Sequence, residues 1–179
     1  NNLAYAYRSA GKLKESIPLY ERNLADRERI LGPDHPYTLR SQGNLASAYQ
    51  DAGRLEQAIN LFEQNLADQL RVLGPDHPHT LRSQGNLASA YQDAGRLEQA
   101  INLFEQNLAD SERILGSDHP HTLTSRGNLA SAYQDAGELE QAINLFEQNL
   151  ADRERILGPD HPHTLTSHDN LARARKARN

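Results

Sequence analysis

The sequence contains no cysteine and no tryptophan. Without cysteine there is no disulfide, no thiolate metal site and no cysteine nucleophile. Only three Phe and seven Tyr supply aromatic bulk, so any core is built mainly from Leu, Ile and Ala. No apolar run approaches the length needed to span a bilayer. Basic residues are in deficit, 19 Lys and Arg against 24 Asp and Glu, for a net charge of −5. That balance argues against nucleic acid, which selects a clustered basic face, and against an acidic membrane surface. No Gly-rich loop with a following lysine is present to cradle phosphate, and no serine sits in a nucleophile elbow. Asp51 and Glu63 are carboxylates on different expected helices, unlike a paired general acid and base. The expectation is a protein that is not an enzyme and uses no cofactor and no metal.

What is present is repetition. Asn-Leu-Ala recurs at Asn2, Asn44, Asn86, Asn128 and Asn170, 42 residues apart each time, and a fixed period of this size marks a repeat architecture. Leu31 to Asp68 matches Leu73 to Asp110 everywhere except that Tyr37 becomes His79. The units read as about 1–35 (partial), 36–77, 78–119, 120–161 and 162–179 (a partial last helix), with no linker and no second domain.

Each full unit predicts two helices. Asp34-His35-Pro36 reads as a helix start, with the Asp34 carboxylate placed near the first free N–H groups and a proline in the first turn. Helix A then runs to about Ala52, where Gly53 ends it. Helix B starts near Leu55. Leu55, Ala58, Ile59, Phe62, Leu66, Leu70 and Leu73 follow the i, i+3, i+4, i+7 spacing of an apolar face, and Gly74-Pro75 stops it. A two-residue turn forces the pair antiparallel. One hairpin cannot cover its own stripe, so neighbours must stack. Nine helices are expected, the first and last short. The chain starts late in one helix A and stops partway through another, so it is expected to be a fragment, with Leu3, Tyr7 and Leu171 exposed at the cut hairpins and available for head-to-tail self-association.

The residues Leu45-Ala46, Tyr49, Gly53, Ala58 and Phe62 stand at the spacing of the tetratricopeptide repeat, and the chain resembles that family over its whole length. The resemblance implies an all-α fold, a right-handed superhelical solenoid of antiparallel helix hairpins. It implies close helix contact at Ala46 and Ala58 and large packing residues at Tyr49 and Phe62. The usual repeat is 34 residues. Here helix B carries about two extra turns, which is similar to the kinesin light chain subtype and to the long arrays of bacterial STAND-type ATPases. Gln42 stands at the family's early Trp position, and Asn65 replaces a usual alanine. Asn65 lies on a mostly apolar stripe, so its amide is expected to pair with backbone or water between hairpins.

The resemblance also implies a concave groove lined by helix A. The face opposite Leu39, Ala46 and Tyr49 carries Arg40, Asn44, Ser47, Gln50 and Asp51, repeated as Arg82, Asn86, Ser89, Gln92 and Asp93, and in part as Asn128, Ser131 and Gln134. An asparagine at the place of Asn44 commonly bonds a ligand's backbone in the family, and a carboxamide suits that task because it both donates and accepts. The expected partner is a protein or peptide. The alternative is an effector-sensing or self-assembly module of a larger nucleotide-switch protein, acting through array ends and helix B surfaces. A groove that clamps a terminal carboxylate is not expected, because Gly43 and Ser47 stand where its cations would. Gly43 inside a helix costs on the order of 1 kcal/mol relative to alanine, which suggests a close approach by a ligand or by a neighbouring helix. The pairs His77/His79, His119/His121 and His161/His163 read as helix-start residues rather than as a metal site. A cytoplasmic location is expected.

Overall fold

The computed structural model describes residues 2–178. Every described element is an α-helix: α1 Asn2–Ser9, α2 Leu13–Leu31, α3 Pro36–Asp51, α4 Leu55–Leu73, α5 Pro78–Asp93, α6 Leu97–Leu115, α7 Pro120–Asp135, α8 Leu139–Leu157 and α9 Pro162–Arg178. None of them is long and apolar enough to cross a membrane. The even-numbered members are the B helices of the 42-residue period and the odd-numbered members the A helices. The last is 17 residues long, so it is a full helix A and not the short remnant expected. The residues fall into two compact units, Asn1–Ala94 and Gly95–Asn179. Within each, successive helices pack as antiparallel neighbours.

The turns explain the hairpins. Gly53 adopts φ 70°, a conformation that favours glycine because it has no Cβ. Around it Gly53 N–H donates to Gln50 O and Arg54 N–H reaches back to Tyr49 O, which satisfies carbonyls that the helix end leaves open. Helix A begins differently from the sequence expectation. The cap is the imidazole of His35, whose Nδ1 accepts from Tyr37 N–H at 3.2 Å. His77, His119 and His161 cap α5, α7 and α9 in the same way. Asp34 does not cap. It takes a two-pronged hydrogen bond from Arg71, at 2.9 and 2.5 Å, across 37 residues, and Arg155 holds Asp118 likewise. The guanidinium of Arg71 keeps the Asp34 carboxyl below the usual carboxylate range. A planar guanidinium matches a carboxylate in this bidentate geometry, so the turn after one B helix is tied to the end of the next.

The core follows the helix B pattern. Ala58, Ile59 and Phe62 are buried in α4 and Leu39 and Ala46 in α3, while Leu45 packs with Ala4, Ile17 and Tyr20 of α1 and α2. In the second unit Ala130, Ala142, Ile143, Phe146, Leu171 and Ala174 form the matching cluster. Leu171 is therefore inside, contrary to the expectation of an exposed end residue, because α9 lays it against α8. Leu3 is exposed as expected, and Tyr7 is half-buried. Helix A also buries a polar row that apolar periodicity does not reveal: Thr38, Ser41 and Gln42. The Thr38 hydroxyl donates to Gly32 O at 2.8 Å, and Thr80 and Thr122 do the same to Gly74 O and Gly116 O. The starts of α3, α5 and α7 thereby close the ends of the B helices before them.

Asn65 sits at the centre of this polar layer. Its Nδ2 donates to Leu39 O at 2.7 Å and to Gln42 Oε1 at 3.1 Å. Its Oδ1 accepts from Gln69 Nε2 and Ser83 Oγ, each at 3.0 Å. One buried amide therefore links α3, α4 and α5. Replacing Asn65 by alanine strands Leu39 O, Gln42 and Ser83, and a stranded buried group costs roughly 1–3 kcal/mol. Asn65→Ala is expected to lower the thermal midpoint clearly, with Ser83→Ala well below it in effect. Equal midpoints for Asn65→Ala and the parent chain in a circular dichroism melt would contradict the linking role.

Candidate functional site: the helix A face

The A helices α3 and α5 stand side by side in the first unit, with α4 beneath them. The spacing leaves a cleft with two lobes. The polar lobe, about 160 Å³, is lined by Arg40, Asn44 and Ser47 from α3 and by Arg82 and Asn86 from α5. These are the residues that the sequence placed on one face, and the fold brings them together. Its floor is Asn65, Gln69 and Ser83. The second lobe, about 230 Å³, lies toward the helix starts and is more apolar, with Tyr37, Leu73, His77 and His79. Leu39, Arg40, Gln69 and Arg82 border both.

The side chains differ in how far they are already committed. The carboxamides of Asn44 and Asn86 are half-buried, and neither makes a hydrogen bond to another described residue. Ser47 Oγ donates to Gly43 O within its own helix. Gln50 Nε2 donates to Ser89 Oγ at 3.2 Å and to Asp93 Oδ2 at 2.6 Å, so these three form a closed polar group between α3 and α5. Asp51 is ion-paired with Arg8 of α1 at 2.5 Å. Gln92 is half-buried and engaged within the protein. In the second unit Asn128, Ser131 and Gln134 are half-buried on α7, and threonine, Thr124, stands where α3 and α5 carry Arg40 and Arg82.

The electrostatics of the cleft are cationic without being saturated. Arg40 lies over the Tyr37 ring, 5.0 Å from its centroid, a geometry in which the ring face attracts the cation. Arg82 has no carboxylate partner among the described residues. Burial holds the His79 imidazole below its ordinary pKa, with Arg82, His77 and Arg40 adding to the effect. The His79 ring lies beside the two arginines and is stacked on His77, with centroids 5.2 Å apart. No group of three or more His, Cys, Asp or Glu capable of holding a metal occurs among the described residues.

Gln69 escapes a pattern-based reading because a glutamine on helix B looks like solvated surface. It is in fact 4% exposed. The signal that could have found it is drift. In copies that are otherwise nearly identical, its position holds Arg27, Gln69, Ser111 and Arg153. Gly43 is also clarified. A Cβ added there would lie 3.6 Å from Asn65 Oδ1, and one added at Gly127 would lie 3.0 Å from Asn149 Nδ2. The nearest neighbour of both glycines is the buried asparagine of the adjacent B helix, in tight contact only at Gly127. Gly43→Ala meets only ordinary contact and is expected to stabilise by up to about 1 kcal/mol through helix propensity. Gly127→Ala forces Asn149 to move, so it is expected to gain less or to lose. A larger gain at Gly127 than at Gly43 in thermal melts would refute this account.

A row of paired antiparallel helices with a 42-residue period and a glycine-turned hairpin defines the class: a helical-hairpin repeat protein. The chain belongs to the tetratricopeptide repeat family, whose model matches residues 1–68, 42–109, 83–154 and 126–179. It is similar to the crystal structure of a kinesin light chain protein of Podosopora anserina with nearly identical TPR-like repeats. The identity is 40% and the TM-score 0.85, over 99% of this chain and 84% of that one. A single-substitution form of that protein gives 38% and 0.87 over the same shares. BtubC (BKLC) from P. vanneervenii shares the fold at 22% identity, with a TM-score of 0.84 over 98% of this chain and 70% of that one. No curated protein matches the sequence. The fold class is thus the all-α helical repeat expected, of the kinesin-light-chain-like subtype. Repeats of this family generally mediate protein–protein interactions.

Proposed function

We propose that this chain is a non-catalytic, cytoplasmic scaffold that holds an extended peptide segment of a partner protein along the helix A face. The observation that carries the reading is the pair of uncommitted carboxamides, Asn44 and Asn86, on neighbouring A helices in one cleft. An extended chain presents alternating N–H and C=O groups, and a carboxamide can serve either. Two such groups on adjacent helices read main chain without regard to sequence. Arg40 and Arg82 beside them can donate to carbonyl or carboxylate oxygens. Asn128 offers the same chemistry on α7 of the second unit. The remaining face residues have supporting parts: Gln50, Ser89 and Asp93 hold α3 to α5, and Asp51 holds α3 to α1.

Peptides selected from a displayed random library against the intact chain provide the test. The double variant Asn44→Ala, Asn86→Ala is expected to bind the selected peptides at least about tenfold more weakly, the effect of losing one or two hydrogen bonds to buried partners. Its melting curve should stay unchanged, because neither side chain bonds within the fold. Equal affinity would sink the reading.

A second surface supports the alternative of self-assembly within a larger switch protein. Ile30, Leu70 and Val72 are exposed near the ends of α2 and α4, and each offers apolar surface that contact with a second copy would cover. Sedimentation over a wide range of concentrations should then show growth in mass that Ile30→Lys abolishes. A strict monomer at every concentration would exclude assembly.

A further inference from the structure

The cleft between α3 and α5 contains one polar atom that the fold leaves without a partner. Gln69 is buried, and its Oε1 makes no hydrogen bond. The amide is not free to turn around. Its Nε2 donates to Asn65 Oδ1, and Asn65 is in turn fixed because its Nδ2 donates to Leu39 O and Gln42 Oε1. Reversing Gln69 would bring oxygen against oxygen. The chain of donors thus ends on an acceptor at the boundary of the two lobes that Gln69 lines. Buried polar atoms are nearly always paired, and this one lacks the donor that such an atom ordinarily has.

The other copies show what a filled position looks like. Arg27 donates to Tyr37 O at 2.7 Å and to Ser41 Oγ at 2.9 Å. Arg153 donates to His163 O and Ser167 Oγ. In those copies the side chain is spent on the start of the next A helix. Only at Gln69 does a buried acceptor face a cleft whose rim carries two arginines, Arg40 and Arg82.

We infer that the boundary of the two lobes at Gln69 is a side-chain subsite for a primary carboxamide, the side chain of a glutamine or asparagine in an extended peptide. This rests on the peptide-binding reading above and adds to it a preference at one ligand position. A primary amide donates N–H to Gln69 Oε1 and accepts from the guanidinium of Arg82 or Arg40 through its carbonyl oxygen. The alternatives each fail on one side. A carboxylate satisfies the arginines but sets an oxygen against Oε1. An ammonium satisfies Oε1 but stands between two cations. An aliphatic side chain leaves Oε1 stranded. Discrimination of this kind comes from the mismatched pairing as much as from the matched one.

A positional-scanning library of fluorescent octapeptides, bound to the intact chain and read by anisotropy, tests the assignment. With the parent chain, one position is expected to favour Gln or Asn over Glu, Asp, Lys or Leu by about tenfold or more, the usual effect of stranding one buried polar group. Gln69→Arg and Gln69→Ser place at 69 the residues that this chain itself carries at Arg27, Arg153 and Ser111, so both are compatible with the fold. Each is expected to erase that preference while leaving the remaining positions unchanged. Glu or Asp equal to or better than Gln and Asn at every position would overturn the subsite and leave a simple cationic cleft. A preference that survives both variants would place its origin elsewhere and overturn the subsite as well. In either case binding that still falls in Asn44→Ala, Asn86→Ala leaves the peptide-binding reading standing. No bound octapeptide, or binding indifferent to those two asparagines, removes both.

Discussion

Much of this fold turns on a buried carboxamide. Asn65 stands where an apolar helix stripe would ordinarily continue, and burying an amide is unfavourable unless every donor and acceptor is met. Meeting them needs a carbonyl and a glutamine from α3, a glutamine from α4 and a serine from α5. Those partners must arrive at set heights, so the amide fixes the register of three helices in a way that interchangeable Leu and Ala contacts cannot. The amide also faces a glycine: it lies 3.6 Å from where a Gly43 Cβ would stand, an ordinary contact, whereas Asn149 lies 3.0 Å from where a Gly127 Cβ would stand, a tight one. The link recurs: Asn23 accepts from Ser41, and Asn107 accepts from Ser125.

Because the asparagine and serine stay constant, the residues beside them are where copies can differ without loss of the frame. Position 126 holds arginine where the earlier copies have Gln42 and Gln84. Arg126 is nearly buried, yet it reaches Glu112 at 2.9 Å and Asp152 at 2.6 Å. Asp152 also pairs with Arg155, which holds Asp118. A buried cation is tolerated only with such partners. Burial pushes the Asp152 carboxyl up, but hydrogen bonds from Arg155 and Arg126 outweigh it and leave the group below its ordinary range. The layer is therefore a neutral amide network around Asn65 and an ionic one around Arg126. Repeats that look identical from outside rest on different chemistry.

That layering explains how much could be read from residues alone. Helix limits were legible because they are set locally: Gly53 and Gly74 need positive φ, and proline opens each A helix. The apolar stripe of α4 was legible from its 3.6-residue period. The groove face was legible too, since Arg40, Asn44 and Ser47 recur one turn apart. What escaped was non-local. Whether Asp34 caps its own helix or binds Arg71 depends on a residue 37 positions away. Whether Gln69 is surface or floor depends on α5 closing over it. Leu171 was read as an end residue, yet a full α9 is long enough to bury it. Polar residues obey no simple period, so their burial is decided only when helices from different hairpins meet.

The division of labour between rim and floor has a consequence for recognition. On the proposed reading, the rim carboxamides would contact what all peptides share and so supply affinity without choice. A ladder of identical contacts also lets a ligand slide by one rung at little cost. Choice of register then has to come from something that is not repeated. In the first unit the unrepeated feature is the floor at Gln69, bordered by Arg40 and Arg82, and the near-identity of its neighbours makes it distinctive. A single unpaired acceptor can fix position because a misplaced ligand leaves it stranded, a penalty comparable to a full hydrogen bond. If the proposed subsite holds, duplication supplies the surface and drift at one buried position supplies the address.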